Sequence, residues 1–270
     1  MARKKTVLVV VAHADDMEFM AGGTVARFVQ EKGYDVYEYI LTDNSKGSYR
    51  LPEEELIAVS AREAVAAGEV LGLRDVRLEG YRDGRLDEEP ADVLRSKVMA
   101  VMREVKADIV MGWDPFAPGE DHPDHRTVAM ATLDAAAFCG NPMFFPEHEY
   151  PPHVVTEAYW FAKEPRDAEL FVDISSTIEQ KLEALLKHVC QMELTVDGLC
   201  AEAKALGADL PMLDQARQGG FEPLIEMGIR NFCAAVGAAR GLACAEQFRY
   251  QKLGMLDTVL GLDLIQPDFS

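Results

Sequence analysis

The sequence predicts an α/β fold, a mainly parallel sheet flanked by helices, and three observations predict it. Short β-branched and aliphatic runs alternate with longer amphipathic stretches through the first half of the chain. Gly, Pro and acidic residues mark the boundaries between them, and two clusters of His and Asp follow two of the apolar runs, one directly and one in the loop beyond. Such alternation is what a parallel sheet built from right-handed crossovers requires. Thr6–Ala12 is unbroken and β-branched, as suits a strand buried on both faces. Gly22-Gly23-Thr24 then opens a helix that ends near Gly33, and Asp35–Leu41 reads as the second strand. Pro52–Leu71 is the next helix, acidic in its first turn and followed by Gly72. Val76–Leu78 gives a short third strand, Pro90–Lys106 a helix, Asp108–Gly112 a fourth strand, and Arg126–Phe138 a helix after an irregular loop.

The second half has a different texture. Cys139–His153 carries four prolines and several aromatics, the composition of an ordered loop over a cleft. Val154–Ala162 and Glu169–Val172 read as strands and Ser175–Gln191 as a helix; Ala-rich helical stretches follow, interrupted at Gly219-Gly220 and Gly241. No repeat or composition shift marks a boundary, so residues 1–270 are read as a single domain with a mixed C-terminal extension.

Composition narrows the function classes. A chain of 270 residues that is 49% hydrophobic and 27% charged suits a soluble globular protein. Its 27 Lys and Arg stand against 46 Asp and Glu, a net charge of −19 with no basic stretch, so nucleic acid and anionic membrane surfaces are poor partners. Arg3-Lys4-Lys5 resembles the start of a secretory leader, but Val7–Ala12 is too short for its apolar core, and no segment approaches the ~18 apolar residues of a membrane span. The expectation is a cytoplasmic protein without membrane insertion. Five scattered cysteines with no C-x-x-C pair suggest neither a disulfide framework nor a cysteine-ligated zinc.

The chemistry gathers at His13-Ala14-Asp15-Asp16, after the first strand, and His122-Pro123-Asp124-His125, after the fourth. Both lie at carboxyl ends of expected parallel strands, where open α/β sheets bind ligands. Catalytic zinc needs three N or O ligands and an open position, and three histidines with three carboxylates provide these with groups left for proton transfer. Taken singly, Asp15-Asp16 also reads as a helix-capping pair and His122-x-x-His125 as solvated loop histidines. Taken together, two adjacent carboxylates just past a buried strand repel each other and lose hydration, a cost that a divalent cation and imidazoles relieve.

On these motifs the sequence resembles the LmbE/PIG-L metal-dependent deacetylases, which include the N-acetylglucosaminyl-phosphatidylinositol deacetylases and the deacetylases of mycothiol and bacillithiol synthesis. The family's A-H-P-D-D is Ala12-His13-Ala14-Asp15-Asp16 here, followed by Glu18 and Gly22-Gly23-Thr24, and H-P-D-H is intact at His122–His125. Weaker echoes are Leu41-Thr42, Ala64–Gly72, Tyr81-Arg82-Asp83-Gly84, His188-x-x-Gln191 and Ala245–Arg249. The resemblance implies a Rossmann-like fold and one zinc or other divalent ion per chain, held by His13, Asp16 and His125. It implies Asp15 as general base, His122 as oxyanion stabiliser or general acid, Asp124 orienting an imidazole, and Asp83 bonding sugar hydroxyls. The implied reaction is removal of an N-acetyl group from an amino sugar or its conjugate, by a homo-oligomer, trimer or hexamer.

Three positions depart from the family pattern. Ala14 replaces a proline, which is expected to loosen the backbone there. Many members carry a substrate-touching arginine early in the second helix; Ser60 stands at that place, and Arg62 is two residues off, about 200° around a helix. Glu120 stands where some relatives have tyrosine, so substrate preference is expected to differ. His188 reads as an ordinary helix histidine. Rival readings are a metal-dependent hydratase or C–C hydrolase of an oxo-acid, a two-His-one-carboxylate iron oxygenase, and a non-catalytic metal-stabilised binding protein. The alternating strands and helices disfavour the oxygenase.

Overall fold

A computed structural model describes residues 4–269; Arg3 lies outside the described residues. In chain order the elements are β1 (Thr6–Val11), α1 (Asp16–Gln30), β2 (Asp35–Thr42), α2 (Glu53–Leu71), β3 (Asp75–Tyr81), α3 (Ala91–Val105), β4 (Ile109–Trp113) and α4 (Pro123–Phe138). The second half adds β5 (Glu157–Phe161), β6 (Leu170–Asp173), α5 (Ile178–Leu185), α6 (Val189–Leu206), α7 (Pro211–Arg217), α8 (Glu222–Ala238), β7 (Ala245–Lys252) and α9 (Leu256–Leu260). The strands form one sheet in the order β3-β2-β1-β4-β5-β7-β6. The first five run parallel, and β7 is antiparallel to both β5 and β6. The chain moves outward from β1 to β3 on one side and then from β4 to β5 on the other. The carboxyl ends of β1 and β4 therefore flank the point where the winding reverses, the place where a crevice opens in such sheets. Val7–Val11 and Ile109–Met111 are buried throughout, so the two central strands are the middle of the core.

Several boundaries differ from expectation, each for a physical reason. Helix α1 begins at Asp16, not Gly22, and the glycines lie inside it. A Cβ on Gly23 would stand 2.7 Å from the Ile174 side chain, so glycine there is what lets α1 lie against the end of β6. Helix α4 begins at Pro123, not Arg126, with proline in the first turn where no N–H is needed. The expected Ser175–Gln191 helix is two, α5 and α6, parted at Leu186–His188. Strand β3 runs on to Tyr81. Strand β7 has a polar reading, Ala-Glu-Gln-Phe-Arg-Tyr-Gln-Lys, that gives no apolar run to find.

The Cys139–His153 loop is pinned by Arg103 of α3, which is buried and donates to the carbonyls of Cys139, Asn141, Phe144 and Phe145. It borders a separate small cavity and, contrary to expectation, lends no residue to the cavity at the carboxyl edge of the sheet. The cysteines are free, and no described helix is long and apolar enough to cross a membrane.

A buried ion pair ties the C-terminal segment to the rest. Glu246 of β7 accepts from the backbone N–H groups of Gly23 and Thr24 at 2.9 and 2.7 Å, from the Thr24 hydroxyl at 2.6 Å and from Lys181 Nζ at 2.6 Å. Lys181 also donates to the Phe19 carbonyl, so α1, α5 and β7 meet at one charge. Removing one partner of a buried pair strands the other. Lys181→Met is expected to lower stability by about 3–5 kcal/mol, read as a drop in the urea midpoint at unchanged slope.

Candidate active site

Asp16 is the anchor. It sits in the first turn of α1, and its Oδ2 accepts from the backbone N–H groups of Ala12 (3.0 Å) and His13 (2.9 Å) and from the Trp113 indole N–H (2.8 Å). That oxygen is saturated, which leaves Oδ1 to face 3.3 Å from His125 Nε2 and 3.7 Å from His13 Nδ1. The two ring nitrogens are themselves 3.1 Å apart. Three donor atoms of the right type thus converge on one point. Burial opposes the Asp16 charge, yet His125 and His13 opposite hold its carboxyl well below the usual range.

The rings are oriented from behind. His125 Nδ1 lies 3.0 Å from Glu120 Oε1, and the ring stacks on Trp113 with centroids 3.8 Å apart at 11°. Against burial, Asp16 and Glu120 raise the His125 pKa to about 9. His13 Nε2 faces Asp83 Oδ1 at 3.3 Å and Asp124 Oδ2 at 3.5 Å, and these carboxylates with Asp16 raise it well above its ordinary value despite burial. Two imidazole nitrogens and a carboxylate oxygen this close need a cation among them, protons in the metal-free protein or a metal ion. The donor set and its backing acids fit a divalent metal.

Asp124 is fully buried and accepts from the N–H groups of Gly84 (2.6 Å) and Leu86 (3.0 Å), so it stands behind His13 and away from any substrate. Gly84, at φ 75°, makes the turn that brings those N–H groups round. Asp83 borders the cavity, but its Oδ2 accepts from the Lys46 N–H at 2.9 Å and its Oδ1 faces His13. Both oxygens are turned to the protein. His122 Nδ1 accepts from the Asp124 N–H at 3.2 Å, which leaves the N–H on Nε2. One nitrogen of its ring lies within 4.8 Å of His13 and His125. Burial and the two neighbouring histidines push its pKa down.

The Asp15 carbonyl accepts from the Phe19 N–H, but its carboxylate accepts no hydrogen bond from another described residue, and it borders the same cavity. Burial, then Asp16 beside it, push its carboxyl up to about 6 against the pull of His188 and His13. Behind it, His188 is fully buried with Nε2 3.4 Å from Glu18 Oε2, a position its helical reading did not suggest. Ala14 donates its N–H to Asn44 Oδ1 at 2.9 Å, a bond a proline cannot make, so the backbone there is tied and not loosened. Ser60 is buried on α2 and Arg62 is exposed; neither borders the cavity.

Sequence reasoning missed Trp113 as a group that holds both Asp16 and His125, although its place at the end of a strand preceding the second motif was a signal. Glu120 was read for substrate preference, whereas its carboxylate engages His125 and the His122 N–H.

Comparison with known proteins agrees with this picture. A family model described as PIG-L, GlcNAc-PI de-N-acetylase, matches residues 8–136, which hold both motifs. A diacetylchitobiose deacetylase of Thermococcus kodakarensis is 30% identical over 193 residues, 69% of this chain and 70% of its own. Among solved structures, the N,N'-diacetylchitobiose deacetylase of Pyrococcus horikoshii superposes with a TM-score of 0.74 at 24% identity, over 92% of this chain and 84% of that one. The 4-carboxy-2-hydroxymuconate hydratase of Pseudomonas putida does so with a TM-score of 0.61 at 17% identity, over 98% and 100%. At such identities the superpositions speak for the fold and not for the reaction. The family match across both motifs, with the extent of identity to the Thermococcus enzyme, shows that this chain belongs to the PIG-L family of N-deacetylases.

Proposed function

We propose that the protein removes the acetyl group from an N-acetylated amino sugar or amino-sugar conjugate, using one zinc ion per chain held by His13, Asp16 and His125. The observation that carries this reading is the convergence of those three donor atoms within 3.7 Å beside a carboxylate, Asp15, that accepts no hydrogen bond from another described residue. When bound, the metal supplies Lewis acidity to the amide carbonyl and makes water more acidic. Asp15 takes a proton from the attacking water and returns it to the departing nitrogen, and a carboxyl pushed up to about 6 is suited to both transfers. His122, neutral because burial and its neighbours lower its pKa, donates its N–H to the developing oxyanion and acts through that bond, not as an acid. Asp124 and Glu120 position His13 and His125, and Asp83 holds His13 from the cavity side.

The hydratase or C–C hydrolase reading asks for cations facing a carboxylate-rich substrate. Arg50 is paired with Glu193 and Asp197, Arg82 with Glu53, Arg85 with Glu88, and Arg126 with the carbonyls of Glu120 and Asp121. Among the described residues the cations bordering the cavity are Lys46 and Lys163, fewer than a substrate with several carboxylates asks for. The intact base disfavours a purely binding role. As companion readings, the whole chain acts as one catalytic domain in the cytoplasm and self-associates. Met255, Leu256, Val259 and Leu260, 59–72% exposed on and beside α9, support the last.

Asp15→Asn is expected to retain one metal per chain by elemental analysis yet lose roughly 10² to 10⁴ in kcat on an acetylated amino sugar. Asp16→Ala is expected to lose the metal itself. Near-parental turnover by Asp15→Asn at full metal content would overturn the assignment of the base.

In the metal-free protein His125 holds its proton up to about pH 9, and each ligand nitrogen must shed its proton to bind metal. Apparent zinc affinity, measured by chelator competition, should therefore fall as pH drops below about 9, by about tenfold per pH unit for each proton displaced. A pH-independent affinity between about pH 7 and 9 contradicts ligation by these histidines.

A further inference from the structure

The open cleft above the His/Asp cluster has a volume of about 780 Å³, more than a single acetylated pyranose fills, and its lining residues fall into two chemistries. The floor, built from the ends of β1 and β4 and the starts of α1 and α4, carries the His/Asp cluster, and Lys46, Asp83 and Lys163 join the lining from the loops after β2, β3 and β5. A second group of lining residues forms an apolar wall. It is made by Phe19 and Met20 of α1, Leu194 of α6, and Ile229 and Phe232 of α8. Phe19, Leu194 and Phe232 are only partly buried, so each leaves apolar surface turned to the cavity and to water. Little on that wall can bond sugar hydroxyls beyond Thr195 and Gln191, and among the described residues the cations bordering the cavity, Lys46 and Lys163, come from the loops after β2 and β5 and not from α6 or α8.

We infer that this wall is a second subsite, and that the substrate is an N-acetylated amino sugar bearing an apolar aglycone, an alkyl or aryl group. The inference rests on the deacetylase reading above. The floor engages the acetamido group, and the aglycone covers the side chains that α6 and α8 leave exposed. Burying several methylenes there strengthens binding equally in the ground and transition states, so the gain falls on KM and leaves kcat nearly unchanged.

The test compares methyl and hexyl glycosides of N-acetylglucosamine, together with N-hexanoylglucosamine, on the metal-loaded enzyme. The hexyl glycoside is expected to show a kcat/KM about tenfold or more above the methyl glycoside, carried by KM, and Phe232→Ser and Leu194→Ser to bring that ratio close to one. Equal kcat/KM for the two glycosides overturns the subsite while leaving the deacetylase reading standing. Faster turnover of the N-hexanoyl compound than of the hexyl glycoside overturns the aglycone assignment, because the wall then receives the acyl chain. If no acetylated sugar is turned over, the deacetylase reading fails on its own. The subsite is then read by quenching of tryptophan fluorescence with hexyl and methyl glucosides, where a tenfold tighter hexyl Kd supports it and equal Kd values overturn it.

Discussion

Three N–H groups converge on a single oxygen of Asp16, and the rest of the site follows from where they come from. Two are backbone donors at the end of β1, a strand hydrogen-bonded on both sides to β2 and β4, and the third is the indole at the last residue of β4. The seat for the carboxylate therefore exists only when the register between β1 and β4 is set. A buried anion with that many donors stays ionised, and its free oxygen is aimed without any flexible linkage. Assembling the sheet and assembling the site are one event.

The charge behind Asp15 is a second constraint. Glu18, Glu38 and His188 are all buried, and they come from α1, β2 and the break between α5 and α6. Burial, then Glu18, Asp16 and Asp15 nearby, raise the Glu38 carboxyl well above the usual range. Burial opposes a charge on His188, but Glu18 and Asp15 hold its pKa up. A carboxylate facing a cavity with this backing differs from its immediate neighbour Asp16 in surroundings far more than in sequence. Two adjacent aspartates thereby acquire opposite proton affinities.

Much of this was legible in the chain because it is written locally. The continuous apolar run of β1, the glycine after α2 and the two His/Asp motifs each report on a few neighbouring residues. What was illegible depends on distant partners. The start of α1 was obscured because Gly22 and Gly23 read as the opening of the helix, whereas they lie inside it and Gly23 answers a steric demand from Ile174. Strand β7 was hidden because its buried glutamate is matched to a lysine 65 residues away in sequence. The roles of Trp113 and Glu120 are set by what lies across the sheet edge, and Ala14 mattered for an N–H that only Asn44 makes visible.

The floor of the cavity and, apart from Phe19 and Met20, its apolar wall come from separate stretches of sequence. Every group in the proton and ligand inventory lies between His13 and His125 apart from His188, while Leu194, Ile229 and Phe232 lie on helices packed from the far end of the chain. Drift in those helices can reshape what the enzyme accepts without disturbing the strand ends on which its chemistry is mounted. Divergence in substrate range among proteins built this way then needs no re-invention of the reaction, and the C-terminal third is where lineages should part company first.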